Sequence, residues 1–320
     1  MSKLVAVCGA TGNQGGGVVA ALQRLGGCTI RALTRNPDSV SSKKLAGPGV
    51  ELVKADFEDP ASLDAAFKGA DAVFGVTDFW RACGGDAERE KKQGTNLVDA
   101  AKCQGVKHFV WSSLEDTRPV LAATRKPLQG TYTVPHFDAK HDIEEYARQQ
   151  LGDAVTAVYP SVFMENLLPG AGMDPTKQPD GSIALFLPVG QSTLAWCATP
   201  DIGAVAAAVI KAGPGEWGGK TVGVAGEHAT VQQVAETFSR AFGKKVAAVT
   251  PSADDWVQAV QGFGVPKSMA EDLGNMFLFY DTVPMTGLRP LDQTQALHPG
   301  AQGLEAFLTA HKDKYAQLFA

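Results

Sequence analysis

Cysteine is scarce: five among 320 residues (Cys8, Cys28, Cys83, Cys103 and Cys197), odd in number, dispersed, and without a Cys-x-x-Cys pair. That pattern argues against a disulfide framework and a cysteine-rich zinc site, and it fits a reducing compartment. The six histidines show no metal-ligand spacing, so no metal site is expected. No apolar run reaches the roughly 18 residues a membrane-spanning helix needs. The opening MSKLVAVCGATG enters a strand-like run at once, with no charged leader, so no secretory signal is expected. Surplus positive charge is missing too. The formal net charge is −5, which gives no reason to expect direct nucleic-acid binding. These absences predict a cytoplasmic protein, with nuclear access left open, that does not cross a membrane.

What is present is a repeating alternation. Strand-like apolar runs at 4–10, 29–35, 50–57, 71–77, 106–115 and 154–161 are separated by helical patterns at 15–26, 60–70 and 86–105, and by a helix started by Pro135. The apolar runs lack strict in–out alternation, so the strands are expected to be covered on both faces. The βα order calls for parallel strands joined by right-handed crossovers. The predicted fold is α/β: a Rossmann, doubly wound parallel sheet of the dinucleotide-binding kind. Beyond residue 160, Pro and Gly become frequent and the elements shorten. Helical patterns lie at 201–213, 231–243, 269–281 and 304–319, and KTVGVAG (220–226) reads as a strand returning to the sheet edge. The predicted organisation is an NAD(P)-binding domain over 1–160, its sheet completed by parts of 195–230. A smaller, partly interleaved α+β region for substrate or partner covers 161–320.

GATGNQGG carries Gly9, Gly12 and Gly15 between a strand and a helix. A pyrophosphate binds at such a place because glycine permits unusual backbone angles and lets phosphate approach the N–H groups of a helix N-terminus. The competing reading is a glycine-rich turn with no ligand. The second strand ends in LTRNP, without the acid that would bond a ribose 2′-hydroxyl; Arg35 suits a 2′-phosphate instead. The expected cofactor is therefore NADP(H). Asp56 and Phe57 end the third strand, where they would flank the adenine; they also read as a strand-end turn with one buried aromatic.

Several stretches together resemble the NmrA-like family of atypical short-chain dehydrogenases: GATGNQGG, LTRNP, VTDFW (76–80), KKQGTN (91–96), HFDAKHDIEEY (136–146), FMENLL (163–168) and GVPKSMAEDLGNMFLFY (264–280). Within it the chain looks most like the members that sense NADP(H) redox state. The resemblance implies an NADP(H) site in which Gly9, Ala10, Thr11, Gly12, Asn13, Gln14 and Gly15 hold the pyrophosphate. Arg35, Asn36 and Ser39 would serve the 2′-phosphate, and Thr77, Asp78 and Phe79 would line the cofactor. Lys92 and Lys140 would reach the nicotinamide ribose, and Phe163, Met164, Glu165 and Asn166 would close the pocket. Taken alone, Lys92 is one more solvated charge in EREKKQ. The loop after LTRNP departs from the family pattern, because Asp38 and Ser39 stand where relatives often carry a basic residue. Lys43 and Lys44 come later.

A conventional dehydrogenase of this class would carry Tyr, three residues, then Lys. Here Lys140 is present and the Tyr position is His136. Lys lowers the Tyr pKa and holds the ribose, and Tyr gives the proton. The candidates left for catalysis are His136, Lys140 and Ser112, with Ser113 beside it and Tyr132 four residues before His136. His136 also reads as a partly buried helix residue with one hydrogen bond. Two functions compete. One is a redox-sensing NADP(H) regulator acting through protein partners, with a homodimer compatible. The other is an NADPH-dependent quinone or carbonyl reductase.

Overall fold

The structure, a computed structural model, describes residues 3–120 and 134–320. Its first half runs β1 (Lys3–Val7), α1 (Asn13–Leu25), β2 (Cys28–Thr34), α2 (Val40–Lys43), β3 (Val50–Lys54), α3 (Pro60–Phe67), β4 (Ala72–Gly75), α4 (Ala87–Cys103), β5 (His108–Ser112), α5 (Pro135–Leu151) and β6 (Val155–Pro160). Then follow β7 (Val162–Phe163), β8 (Thr176–Lys177), β9 (Ile183–Phe186), β10 (Leu194–Cys197), α6 (Thr199–Ala212), β11 (Thr221–Val224), β12 (Glu227–Ala229), α7 (Val231–Phe242), β13 (Val246–Val249), α8 (Ala253–Gly262), α9 (Lys267–Thr282) and α10 (Leu304–Ala310), with shorter helical turns between.

The main sheet has seven strands in the order β11-β6-β5-β4-β1-β2-β3, and every pairing in it is parallel. The chain order turns back between β1 and β4. That switch point leaves a crevice above the carboxyl ends of the strands, where ligands bind in such sheets. One face of the sheet packs on α1 and α6, with Val18, Val19, Leu22, Ile202, Val205 and Ile210 buried. The other packs on α3, α4 and α5 through Leu63, Phe67, Leu97, Val98 and Ile143. Helix α1 meets α6 backbone to backbone: a methyl added at Gly203 would lie 2.2 Å from the Gly17 carbonyl carbon.

The strand over 220–226 does return to the edge, as β11 beside β6. Two three-stranded sheets, β12-β10-β7 and β13-β9-β8, organise the remainder around a separate core of Trp196, Phe238, Phe277 and Phe307. Helix α7 follows its sequence signal closely, with a capping box in which Thr230 and Gln233 satisfy each other's backbone N–H.

Several strands of the first half stop earlier than their apolar runs. The run 4–10 ends as strand at Val7, 50–57 at Lys54, 71–77 at Gly75 and 106–115 at Ser112. The surplus residues include Ala10, Ala55 and Leu114, all buried but in loops above the sheet. The pattern at 304–319 also divides, into α10 and a 3₁₀ turn at Lys312–Tyr315. The turn seats Tyr315 in the core, where its hydroxyl donates to the Leu167 carbonyl at 2.8 Å.

Candidate functional site

A cleft of about 770 Å³ opens over the switch point. Its first half is built from loop backbone. Gly9 has φ +57, a conformation costly for any residue with a Cβ, and a Cβ at Gly15 would sit 2.3 Å from the Gly9 carbonyl oxygen. The two glycines therefore let α1 begin directly against the end of β1. Among the described residues no side chain caps α1. Its first N–H groups have no partner within the helix, and Asn13, Gln14 and Gly15 line the cleft. The Gln14 side chain accepts a 2.7 Å hydrogen bond from Ser112 Oγ, which ties the loop after β1 to the end of β5.

Beside this lies Arg35, exposed and lining the cleft, with no side-chain hydrogen bond or ion pair to any described residue. The following residues turn inward on themselves. Asn36 Oδ1 accepts from the Asp38 N–H at 3.0 Å, and Ser39 Oγ caps α2 at the Ser42 N–H, 3.1 Å away. Neither lines the cleft. Asp56 and Phe57 do, together with Thr77, Asp78 and Phe79. The Asp56 carboxylate also accepts from the Glu58 N–H at 2.9 Å.

Helix α4 presents Arg89 and Gln93 to the cleft. Lys92 is exposed and does not line it, because one residue is 100° of helical rotation from Gln93. Met164 is buried in the C-terminal core, and the Glu165 carboxylate accepts from Thr199 N–H (2.9 Å) and Oγ1 (2.7 Å) at the start of α6. Of the segment 163–166, Phe163 and Asn166 reach the cleft. Ala10 is fully buried. Tyr132 lies outside the described residues.

At the middle of the cleft, Lys140 uses all three ammonium donors on the protein: Thr77 carbonyl (3.0 Å), Thr77 Oγ1 (3.1 Å) and Glu90 Oε1 (2.9 Å). Thr77 Oγ1 in turn donates to Glu90 Oε1 at 2.7 Å. Glu90 is fully buried, and its Oε2 has no partner among the described residues. Sequence reasoning missed this carboxylate, although a signal was there: Glu90, Gly94, Leu97 and Ala101 share the buried stripe of α4. Cys83, next to Gln93, is not a poised nucleophile. Burial, helped by the nearby Glu90 charge, pushes its thiol up to about 11.

The second half of the cleft is apolar. Trp80, Leu114, Phe137, Met173, Leu273, Met276 and Tyr280 line it, drawn from five separate stretches of chain. Burial raises the Tyr280 phenol above its ordinary range. His136 lines this half as a buried residue of α5 whose ring makes one hydrogen bond to a described residue. Its ring Nδ1 bonds the Asp272 carboxylate of α9, and its backbone N–H donates to Asp272 Oδ2 at 3.2 Å. Nothing in the sequence links the two, which are 136 positions apart. Among the described residues, no His/Cys/Asp/Glu group could hold a metal, and no helix is long and apolar enough to cross a membrane.

Comparison with known proteins places this geometry. The model of the NmrA-like family matches residues 1–308. An NmrA-like family domain-containing oxidoreductase of Cladobotryum sp is 38% identical over 52% of this chain and 49% of its own, so the match spans about half of that relative. The NAD(P)H azoreductase of Xenophilus azovorans is 30% identical over 90% of this chain and 94% of its own. The crystal structure of NmrA, a negative transcriptional regulator, in complex with NADP superposes with a TM-score of 0.79 at 24% identity, covering 99% of this chain and 98% of that one. The NADPH-dependent quinone oxidoreductase of Escherichia coli, solved with NADPH, gives 0.74 at 24% identity, covering 97% and 99%. The two structures establish the shared fold, and the family model establishes the kinship: this chain belongs to the NmrA-like family.

Proposed function

We propose that the cleft binds NADP(H) and that the chain is an NADPH-dependent reductase of an apolar, planar acceptor such as a quinone or an azo compound. The observation that supports this is one cleft with two unlike halves. The first offers what a dinucleotide phosphate needs: a helix start capped by no described side chain, glycines that keep Cβ atoms away, and Arg35, whose guanidinium bonds no described residue. The second offers an apolar chamber suited to a flat ring system. A bound reduced nicotinamide supplies a hydride. The protein's part is to hold the two ligands together and exclude water. Lys140 and Glu90 brace the floor where the halves meet.

A second reading is a redox-sensing regulator that acts through protein partners, alone or as a homodimer. It draws support from the missing Tyr and from Lys140, whose donors are all taken up by Thr77 and Glu90. Under either reading we place the protein in the cytoplasm; a partner among transcription regulators would add the nucleus. The test is a fluorescence titration with NADP⁺ and NADPH, then NADPH oxidation with a benzoquinone, an azo dye and an aliphatic ketone. Steady turnover with the first two supports the reductase. Tight NADPH binding with turnover of none overturns it and leaves the regulator.

A further inference from the structure

We propose that His136, oriented by Asp272, is the proton donor of this cleft, in place of the absent tyrosine. The inference rests on the reductase reading above.

The geometry assigns the imidazole a defined orientation. Nδ1 faces the Asp272 carboxylate, which is 4% exposed on its side chain, and the same carboxylate takes the His136 backbone N–H at 3.2 Å. With both carboxylate oxygens engaged, neither the ring nor the start of α5 turns freely. Nε2 makes no hydrogen bond to a described residue, while His136 itself lines the cleft. Rings of Trp80 (5.4 Å, 47°), Phe79 (5.9 Å, 49°) and Phe137 (4.8 Å, 84°) surround it. The ring is thus a buried imidazole backed by a buried carboxylate, an arrangement that fixes which ring nitrogen faces the cleft.

Other charges nearby are committed elsewhere. Lys140, one turn along α5, is held by Thr77 and Glu90. Asp138 accepts from the Thr117 N–H and Oγ1 and from the Val134 N–H. On the loop after β4, Asp78 Oδ1 takes the Arg81 N–H, and Arg81 is exposed. From α9, Asp272 is the acid that touches the ring.

The step balances as follows. The acceptor takes a hydride, two electrons and a proton, from NADPH, which leaves as NADP⁺. His136 Nε2–H⁺ breaks to give a proton to the reduced acceptor, and the neutral imidazole keeps Nδ1–H on Asp272. Water restores the Nε2 proton. Asp272→Asn leaves the ring without its anchor, so proton delivery slows while cofactor and acceptor binding stay as they were.

The test uses the full chain and three variants, His136→Gln, Asp272→Asn and Tyr280→Phe, with NADPH affinity measured first to verify a formed site. The expected results begin with His136→Gln, which loses about 10²–10⁴-fold in kcat with an azo dye and keeps its NADPH affinity. Asp272→Asn lowers kcat and leaves the acceptor KM and NADPH affinity in place. Tyr280→Phe changes the acceptor KM. An independent readout needs no turnover: the Nδ1–H proton resonance of His136 in cofactor-free protein, held downfield by its bond to the carboxylate, should move upfield in Asp272→Asn and stay in place in Tyr280→Phe. His136→Gln turning over at the wild-type rate, or a resonance unchanged in Asp272→Asn, overturns the inference and leaves the reductase reading standing. Wild-type protein that binds NADPH but reduces nothing overturns both.

Discussion

The two halves of the cleft are made in opposite ways. The phosphate half is backbone: three glycines, a bare helix start and one arginine, all within 27 consecutive positions from Gly9 to Arg35. The acceptor half is side chain: Trp80, Phe137, Met173, Met276 and Tyr280 converge from segments up to 200 positions apart. A backbone cradle recognises a charge pattern common to many ligands and needs little beyond local geometry. A side-chain chamber recognises one shape, set by residues far apart in sequence. Under the proposed function, cofactor binding rests on the first half and the identity of the acceptor on the second.

The comparison breaks most severely at the joint. Lys140→Met leaves Glu90 buried without a counter-charge, and unfolding in urea should report a loss of about 3–5 kcal/mol. Adding Glu90→Leu should restore part of it. Next is Gly15→Ala, whose methyl would press on the Gly9 and Cys8 carbonyl oxygens at 2.3 and 2.5 Å. Overpacking there should cost roughly 1–3 kcal/mol and abolish tight NADP(H) binding, read by denaturation and by fluorescence titration.

A control lies outside both halves, at the amino end of β5. His108 is fully buried there, with its Nε2–H donated to Thr156 Oγ1, which itself donates to the Trp217 carbonyl at 2.8 Å. Nδ1 has no partner. Burial, with a smaller push from Lys3, lowers its pKa from 6.5 to about 4. The unfolded chain takes up that proton first as pH falls. Stability from this site is therefore complete above about pH 6.5 and lost progressively toward pH 4, by about 2–3 kcal/mol. His108→Asn should flatten that slope of melting temperature against pH and leave the cleft's ligand affinity at neutral pH as it was.

Arg35→Ala should weaken NADPH about 10–100-fold while NADH affinity stays put, since charge-assisted bonds contribute about 1.5–3 kcal/mol. The smallest effect belongs to the chamber. Met276→Trp narrows it and should raise the acceptor KM by roughly tenfold with NADPH binding unchanged. If Met276→Trp weakened NADPH as much as the acceptor, the two halves would not be separate sites.

The same division governs what could be read from the chain. The parallel βα sheet, the edge strand over 220–226 and the glycine loop between β1 and α1 were legible because periodicity and local motifs report neighbours in sequence. Ala10, Ala55 and Leu114 misled the strand boundaries, since burial in a loop over the sheet looks like burial within it. Lys92 faces solvent and Glu90 lies buried under Lys140 for a reason of helical phase, which a resemblance of motif does not report. Asp272 had no signal, because α9 is buried on most of its circumference and no stripe singles out one position.

The contact between Gly17 and Gly203 has a mechanical consequence. Phe163 in the cleft wall is followed by Glu165, which pins the first residue of α6; α6 lies backbone against backbone on α1; and α1 begins at the phosphate loop. The path closes on itself with no long side chain in its tightest joint, so it acts as a rigid jig around one end of the site. Any give on loading must come from the other side, through the Thr77–Ala82 loop and α9, the two segments that hold His136 between them.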